Sequence, residues 1–223
     1  MKKIAFLFLL AATFAFGSSL DEIRKNGEIK IGVWTSQPPY SNLENGEFEG
    51  FEVDMAKAIG SNIVGNSGKV TLVGIESGNE RIKFLQNNQV DVVIASFTET
   101  DERKKKVDFS LPYFAVAMGA ISSKDKPLNF EKDLNYKTIA IQEGTTMEDY
   151  VKTIPGTKVI KTKGSMEAFR KLRDNKADAY IDDNLVVMAY AIVDRDYIVP
   201  KNMRNLGFNS FLGAAVKKGN NEL

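Results

Sequence analysis

The sequence predicts an α/β protein of two similar units, each a central sheet with flanking helices, facing each other across a cleft. Three observations predict it. The order β-α-β-α-β is written twice along the chain, and that order implies parallel strands joined by right-handed crossovers. An internal echo aligns residues 84–96 with residues 171–183, ending on Ser96 in one unit and Asp183 in the other. Both residues fall at the carboxyl end of a predicted parallel strand, where open α/β sheets bind their ligands.

In the first unit, Ile29, Ile31 and Val33 alternate through Glu28–Trp34 as a half-buried strand requires. Phe51, Met55, Ala58, Ile59 and Ile63 then recur at helical spacing over 50–63, and a second strand is predicted over 69–73. Ser77-Gly78-Asn79-Glu80 has the Ser-x-x-Glu form of a capping box. It predicts a helix with Ile82, Phe84 and Leu85 inward, followed by a nearly continuous apolar strand over 90–95. In the second unit the strands are 138–142, 158–162 and 179–182, and the helices start at Thr146 and run over 166–174. Pro112-Tyr113-Phe114 and the stretch 207–212 fall between the units and are the predicted crossings.

Composition narrows the chemistry. The 223 residues are 43% hydrophobic and 26% charged, ordinary values for a folded chain with a core. Thirty basic residues against 29 acidic argue against nucleic acid as a partner, since no basic surplus is available to neutralise phosphates. With neither His nor Cys, the chain has no Ser-His-Asp or Cys-His catalysis, no zinc site built on those ligands and no disulfide. No cofactor is expected, and the missing Cys leaves the redox compartment open.

The leader addresses the compartment. Met1-Lys2-Lys3 is basic, 4–16 is apolar, and Ala15 and Gly17 place small residues at −3 and −1 of a cut before Ser18, the pattern of a secretory signal peptide. The apolar run is shorter than the ~20 residues that span a bilayer, and no Cys follows it to carry a lipid anchor. Removing Lys2 and Lys3 leaves 28 basic residues against 29 acidic, a mature charge of −1.

Gathered at strand ends and helix starts are Ser96, Thr98, Arg103, Thr145, Thr146 and Asp183. A guanidinium takes a carboxylate in a bidentate fork, a buried carboxylate takes an ammonium, and Ser and Thr supply hydroxyls beside free backbone N–H groups. One anion clamp plus one cation clamp describes a receptor for a zwitterion, such as a free amino acid. Other roles stay open at this point. Arg103 also belongs to the charged run Arg103-Lys104-Lys105-Lys106, Asp183 would serve as an N-cap for a helix from Asn184, and Thr145 with Glu148 has capping-box spacing.

The run from Ser96 to Tyr113, with Ser96-Phe97-Thr98 and Asp101-Glu102-Arg103, resembles the signature of periplasmic polar amino-acid-binding proteins of bacterial ABC importers, solute-binding protein family 3. The resemblance extends to Gly50-Phe51-Glu52-Val53-Asp54, Gly144-Thr145-Thr146, Asp178-Ala179-Tyr180-Ile181-Asp182-Asp183 and the residues after Gly213. It implies a two-lobed periplasmic binding protein fold of type II. It also implies a periplasmic monomer that is not lipid-anchored, captures an amino acid, catalyses nothing and serves an inner-membrane ABC permease. By the same resemblance Arg103 holds the ligand carboxylate, Thr98 and Ser96 add hydroxyl or backbone bonds, and Asp183 takes the ammonium. Phe51 packs against the ligand, and Thr146 offers a backbone donor at a helix start. Trp34 and Gln37 lie in a loop that touches the ligand but varies, and an aromatic at position 34 or 51 also suits a core. Arg81 matches an arginine that reaches the side chain in aspartate and glutamate binders and recurs in members for cysteine or cystine. As an alternative it pairs with an acid on its own helix surface. The resulting ranking puts glutamate or aspartate first and glutamine or cysteine next.

The expected organisation is a signal peptide over 1–17, the first part of lobe 1 over 18–113 and lobe 2 over 114–212. Hinge crossings are expected near 114–118 and 207–212, with a lobe 1 return strand over 213–223. Family members continue past Lys217-Lys218-Gly219 with helices that finish the first lobe, whereas this chain stops at Leu223, so the expectation is a truncated lobe with one sheet face uncovered. Two rival functions share the resemblance: a periplasmic dehydratase of the cyclohexadienyl type, which without His would need a Glu, Asp or Lys as general acid or base, and an added adhesin or sensor role.

Overall fold

Ser19 starts the first helix, α1 (Leu20–Asn26), by a reciprocal cap: its hydroxyl accepts from the Glu22 N–H, and the Glu22 carboxylate accepts from the Ser19 N–H at 2.9 Å. The computed structural model describes residues 18–223, so the expected leader lies outside the described residues. The first lobe continues with β1 (Glu28–Trp34), a small ribbon β2 (Ser36–Gln37), β3 (Ser41–Glu44) and β4 (Glu47–Glu49), then α2 (Phe51–Val64) and β5 (Lys69–Ile75). It goes on through α3 (Glu80–Gln86), β6 (Val92–Val93), α4 (Asp101–Lys104) and β7 (Val107–Phe109). The second lobe holds β8 (Phe114–Ser123), β9 (Thr138–Gln142), α5 (Met147–Lys152), β10 (Lys158–Thr162), α6 (Ser165–Arg173) and β11 (Ala179–Asp183). It closes with α7 (Asn184–Val193), β12 (Tyr197–Ile198) and β13 (Leu206–Leu212), after which β14 (Ala215–Lys217) returns to the first sheet.

The first sheet has the order β5-β1-β6-β14-β7, and the second β10-β9-β11-β8-β12 with β13 also on β8. The strand–helix–strand units pair in parallel, β1 with β5 and β6, and β9 with β10 and β11. Within the two main sheets every antiparallel pair involves β8 or β14, strands at the two passages between sheets, and the small ribbon β2-β3-β4 is antiparallel as well. At those passages the Tyr113 N–H donates to the Leu212 carbonyl at 2.9 Å, and Leu212 bridges Thr98. Ile29, Ile31 and Val33 are all fully buried, and each contributes roughly 1.5–3 kcal/mol of burial to the first lobe. An apolar hollow of about 500 Å³ opens on this lobe, lined in part by Met55, Ile59 and Ile63 of α2 and by Leu223.

Three local expectations are revised. The apolar stretch 90–95 forms a ladder only over β6, although Ile94 and Ala95 stay buried. Ser77 does not cap α3: its hydroxyl donates to Glu143 at 2.6 Å and accepts from the Asn79 N–H, while Glu80 reaches back to the N–H groups of Glu76 and Ser77. Thr145 does not cap α5 either, because its hydroxyl donates to the Gln142 carbonyl at 2.8 Å.

Candidate functional site

Between the lobes lies a narrow cavity with about 10 Å³ of free space, nearly filled by its own polar side chains. Its first-lobe wall follows from two strand ends. Trp34 closes β1 and Gln37 closes β2, while past β6 the chain turns through Ser96, whose φ of 45° is in the left-handed region, to Phe97 and Thr98. Thr100 then caps the short α4, its hydroxyl accepting from the Arg103 N–H at 3.2 Å. That cap aims the Arg103 side chain backward: Nη1 donates to the Thr98 carbonyl at 2.7 Å and Nη2 to the Gly144 carbonyl of the second lobe at 2.9 Å. Lys104 and Lys105 pair instead with Glu99 and Glu102 at the surface, so one residue of the charged run faces the cavity. Burial lowers the Arg103 pKa to about 10, within the range where it stays charged at neutral pH, and Asp183 and Asp149 oppose that fall.

The second lobe contributes the end of β11 and the start of α5. Asp182 and Asp183 are both buried. Asp183 heads α7, yet its side chain caps nothing, and among the described residues its carboxylate accepts no hydrogen bond. Burial first, then the like charges of Asp182 and Glu52, push its pKa well above the usual carboxylate range, while Arg81 and Arg103 pull it down. Asp182 is satisfied: Oδ1 accepts from Gln37 Nε2 at 3.1 Å and from the Asp183 N–H at 2.7 Å, and Oδ2 from the Tyr180 hydroxyl. Gln142 donates to Gln37, and with its amide oxygen accepting from the Ser165 N–H at 2.6 Å its nitrogen also reaches Asp182 Oδ2 at 3.0 Å. Burial raises Asp182 to about 6, against these donors.

Eight of the nine expected residues, Trp34, Gln37, Arg81, Ser96, Thr98, Arg103, Thr146 and Asp183, line this cavity. The ninth, Phe51, does not; it is 48% exposed, with its ring 6.4 Å from Tyr113 and 6.1 Å from Phe114. Trp34 Nε1 is buried without a hydrogen-bond partner among the described residues. Arg81 is buried rather than on a helix surface. Its Nε donates to Gly78, Nη1 to Ala95 and Ser96, and Nη2 to Gly144, and the guanidinium carbon lies 4.5 Å from the centre of the Phe97 ring. Burial and the neighbouring Arg103 lower its pKa. Gln142, Met147 and Asp182 also line the cavity and were not expected; the signal for Asp182 was a second acid in the short, wholly buried β11. Among the described residues no cluster of acids is arranged to hold a metal ion.

The lobes meet around this cavity. Gly144 accepts from both Arg81 and Arg103, Ser77 donates to Glu143, and Ser165 donates to the Ser36 carbonyl at 2.7 Å. Gly78 and Gly144 approach so closely that a Cβ on Gly78 would sit 2.5 Å from the Glu143 carbonyl oxygen.

The profile of the bacterial extracellular solute-binding proteins, family 3, matches residues 29–223. The chain is 31% identical over 210 residues to an ABC transporter glutamine-binding protein of Bacillus subtilis, covering 92% of this chain and 75% of that one. It is similar to the solved cysteine-binding protein of Campylobacter jejuni, with 35% identity, a TM-score of 0.85 and coverage of 91% and 82% of the two chains. It is also similar to an ancestral amino-acid-binding protein described as a precursor of cyclohexadienyl dehydratase, with 33% identity, a TM-score of 0.82 and coverage of 91% and 87%. With almost all of the described chain matched and the two-lobed fold shared, the protein belongs to the bacterial extracellular solute-binding proteins, family 3.

Proposed function

We propose that the chain is an extracytoplasmic receptor, exported by its leader, that closes around a free α-amino acid and delivers it to the permease of an ABC importer without catalysing a reaction. The observation that carries this reading is the pairing of Arg103 and Asp183 across one cavity, with the Asp183 carboxylate buried and free of donors among the described residues. An amino acid brings an ammonium for Asp183 and a carboxylate for the unused N–H groups of Arg103, and binding both favours the closed form. The glutamine- and cysteine-binding relatives support an amino acid as the ligand.

The ligand's side chain is uncharged and polar, with glutamine and cysteine ahead of glutamate and aspartate. Arg81 is the cation a side-chain carboxylate would need, but it already serves four backbone carbonyls. Asp182, which a cationic side chain would need, is likewise occupied by donors. A charged side chain would enter without a free counter-ion, at a cost of several kcal/mol.

The test is a thermal-shift screen of the mature chain against the common amino acids and prephenate, followed by calorimetry. L-Glutamine or L-cysteine should give the largest shift. Consumption of prephenate, or no shift with any amino acid, would overturn the reading, and tightest binding of L-glutamate would overturn the role given to Arg81.

A further inference from the structure

Glu52 is a buried carboxylate outside the cavity, and its contacts run in two directions. It sits in the first turn of α2, where the Glu52 N–H donates to the Tyr40 carbonyl at 2.8 Å. Gly50 makes that turn possible, with φ 124° and no room for a Cβ against the Tyr40 carbonyl. Toward the cavity, Glu52 Oε1 accepts from the Ser96 N–H at 2.7 Å and from the Ser96 hydroxyl at 3.2 Å. Toward the passage between lobes, the same oxygen accepts from the Tyr113 hydroxyl at 2.5 Å. Ser96 holds a left-handed backbone that glycine would adopt more readily, and its carbonyl receives Arg81. Tyr113 immediately precedes β8, packs against core residues of both lobes and bonds through its N–H to Leu212 at the second passage.

We propose that Glu52 is a positioning residue that couples the ligand cavity to the hinge, by holding the Ser96 backbone and the Tyr113 hydroxyl on one carboxylate oxygen. The inference rests on the amino-acid reading above, but its geometry does not need a ligand. Movement at either passage strand changes where Tyr113 holds Glu52, and so how Ser96 presents its backbone to the cavity. The charged and titratable groups that act on Glu52 are Arg81 from α3, Tyr113 from the passage, Tyr40 from the ribbon turn and Asp183 from β11. Burial raises the Glu52 pKa to about 7, against Tyr113, the Ser96 N–H and hydroxyl, and Arg81. Protonation in the neutral range turns an acceptor into a donor and loosens the link.

The experiment compares wild type, Glu52→Gln, Tyr113→Phe and the double variant in two arms. In the first, calorimetry with L-glutamine runs from pH 6 to 8. Each single variant should bind about tenfold more weakly, the double variant no more weakly than Glu52→Gln, and the rise of wild-type affinity with pH should flatten in Glu52→Gln. In the second, hydrogen exchange of the Ser96 amide is followed without ligand, and Tyr113→Phe should speed it although the Tyr113 hydroxyl bonds to Glu52 and not to that amide. Wild-type exchange and wild-type affinity in Tyr113→Phe would overturn the proposal, as would additive losses in the double variant. If wild type binds no L-glutamine while the exchange arm behaves as expected, the glutamine reading fails and the coupling through Glu52 stands.

Discussion

Arg103 and Asp183 face one cavity from opposite lobes and feel each other's charge without forming an ion pair. Arg103 leans on the carbonyls of Thr98 and Gly144, which leaves its remaining N–H groups and the whole Asp183 carboxylate for a third body. A molecule carrying both charges therefore completes two half-satisfied sites at once. Arg103→Ala and Asp183→Asn should each weaken L-glutamine binding by several kcal/mol in calorimetry, because the partner charge is then buried unpaired. The ligand-free Asp183→Asn protein should melt no lower than wild type at pH 8, since it loses a buried acid that has no donor.

Closure brings backbone against backbone at Gly78 and Gly144. A Cβ on Gly78 would press the Glu143 carbonyl at 2.5 Å, a clash with the opposite lobe. Gly78→Ala should therefore weaken L-glutamine binding at least about tenfold, and because the same Cβ would sit 2.9 Å from Arg81 Nη2 in its own lobe, the ligand-free melting temperature should fall modestly. A large loss of melting temperature without loss of affinity would contradict this.

Arg81 holds four carbonyls from a fully buried position. Lysine keeps the charge but has no planar fork to reach them together, so Arg81→Lys should lose about 2–4 kcal/mol in urea unfolding. An Arg81→Lys protein as stable as wild type would instead return the residue to a role in holding a ligand side chain.

Stability should depend on pH in a window set by buried acids. Burial lifts Glu52 to about 7 and Asp182 to about 6, above the ordinary carboxylate range. Folding thus favours their protonated forms. That stability is full below the unfolded values and is lost as pH rises through the folded ones, so the ligand-free protein should weaken from about pH 4 through about pH 7, by roughly 3 kcal/mol from Glu52, with Asp183 adding to the loss in the same direction. Asp108 and Glu148 act oppositely: each is lowered despite burial, by Lys218 and the Gly219 N–H for one and by Lys161 and the Gly144 N–H for the other. Their contribution is present above the unfolded pKa and lost in acid. Urea midpoints taken between pH 5 and pH 8 should fall for wild type and fall less steeply for Glu52→Gln.

Much of this arrangement was legible because its physics is local. The alternation of Ile29, Ile31 and Val33 fixed a strand, and the resemblance carried by the run from Ser96 to Tyr113 made Arg103 stand apart from the lysines after it. What was not legible depends on the other lobe. Ser77 reads as a cap until Glu143 takes its hydroxyl, and Arg81 reads as a free cation until Gly144 closes over it. Glu52 looks like any acid in a first helical turn, where a negative charge suits the helix dipole. Asp182 could not be told from Asp183 by residue type, and the donors Gln37, Gln142, Tyr180 and the Asp183 N–H separate the satisfied carboxylate from the unsatisfied one. Phe51 has the right identity and a different location, against the rings of Tyr113 and Phe114.

The Gly144 carbonyl carries two guanidiniums from the facing lobe, and the bonds from Ser77 to Glu143 and from Ser165 to Ser36 likewise need no guest. Such a latch sets timing as well as affinity. Association is throttled by the fraction of time the cleft stands open, and release waits until these bonds break together, so the lifetime of the loaded receptor depends in part on the Ser77–Glu143 and Ser165–Ser36 bonds, which lie outside the cavity.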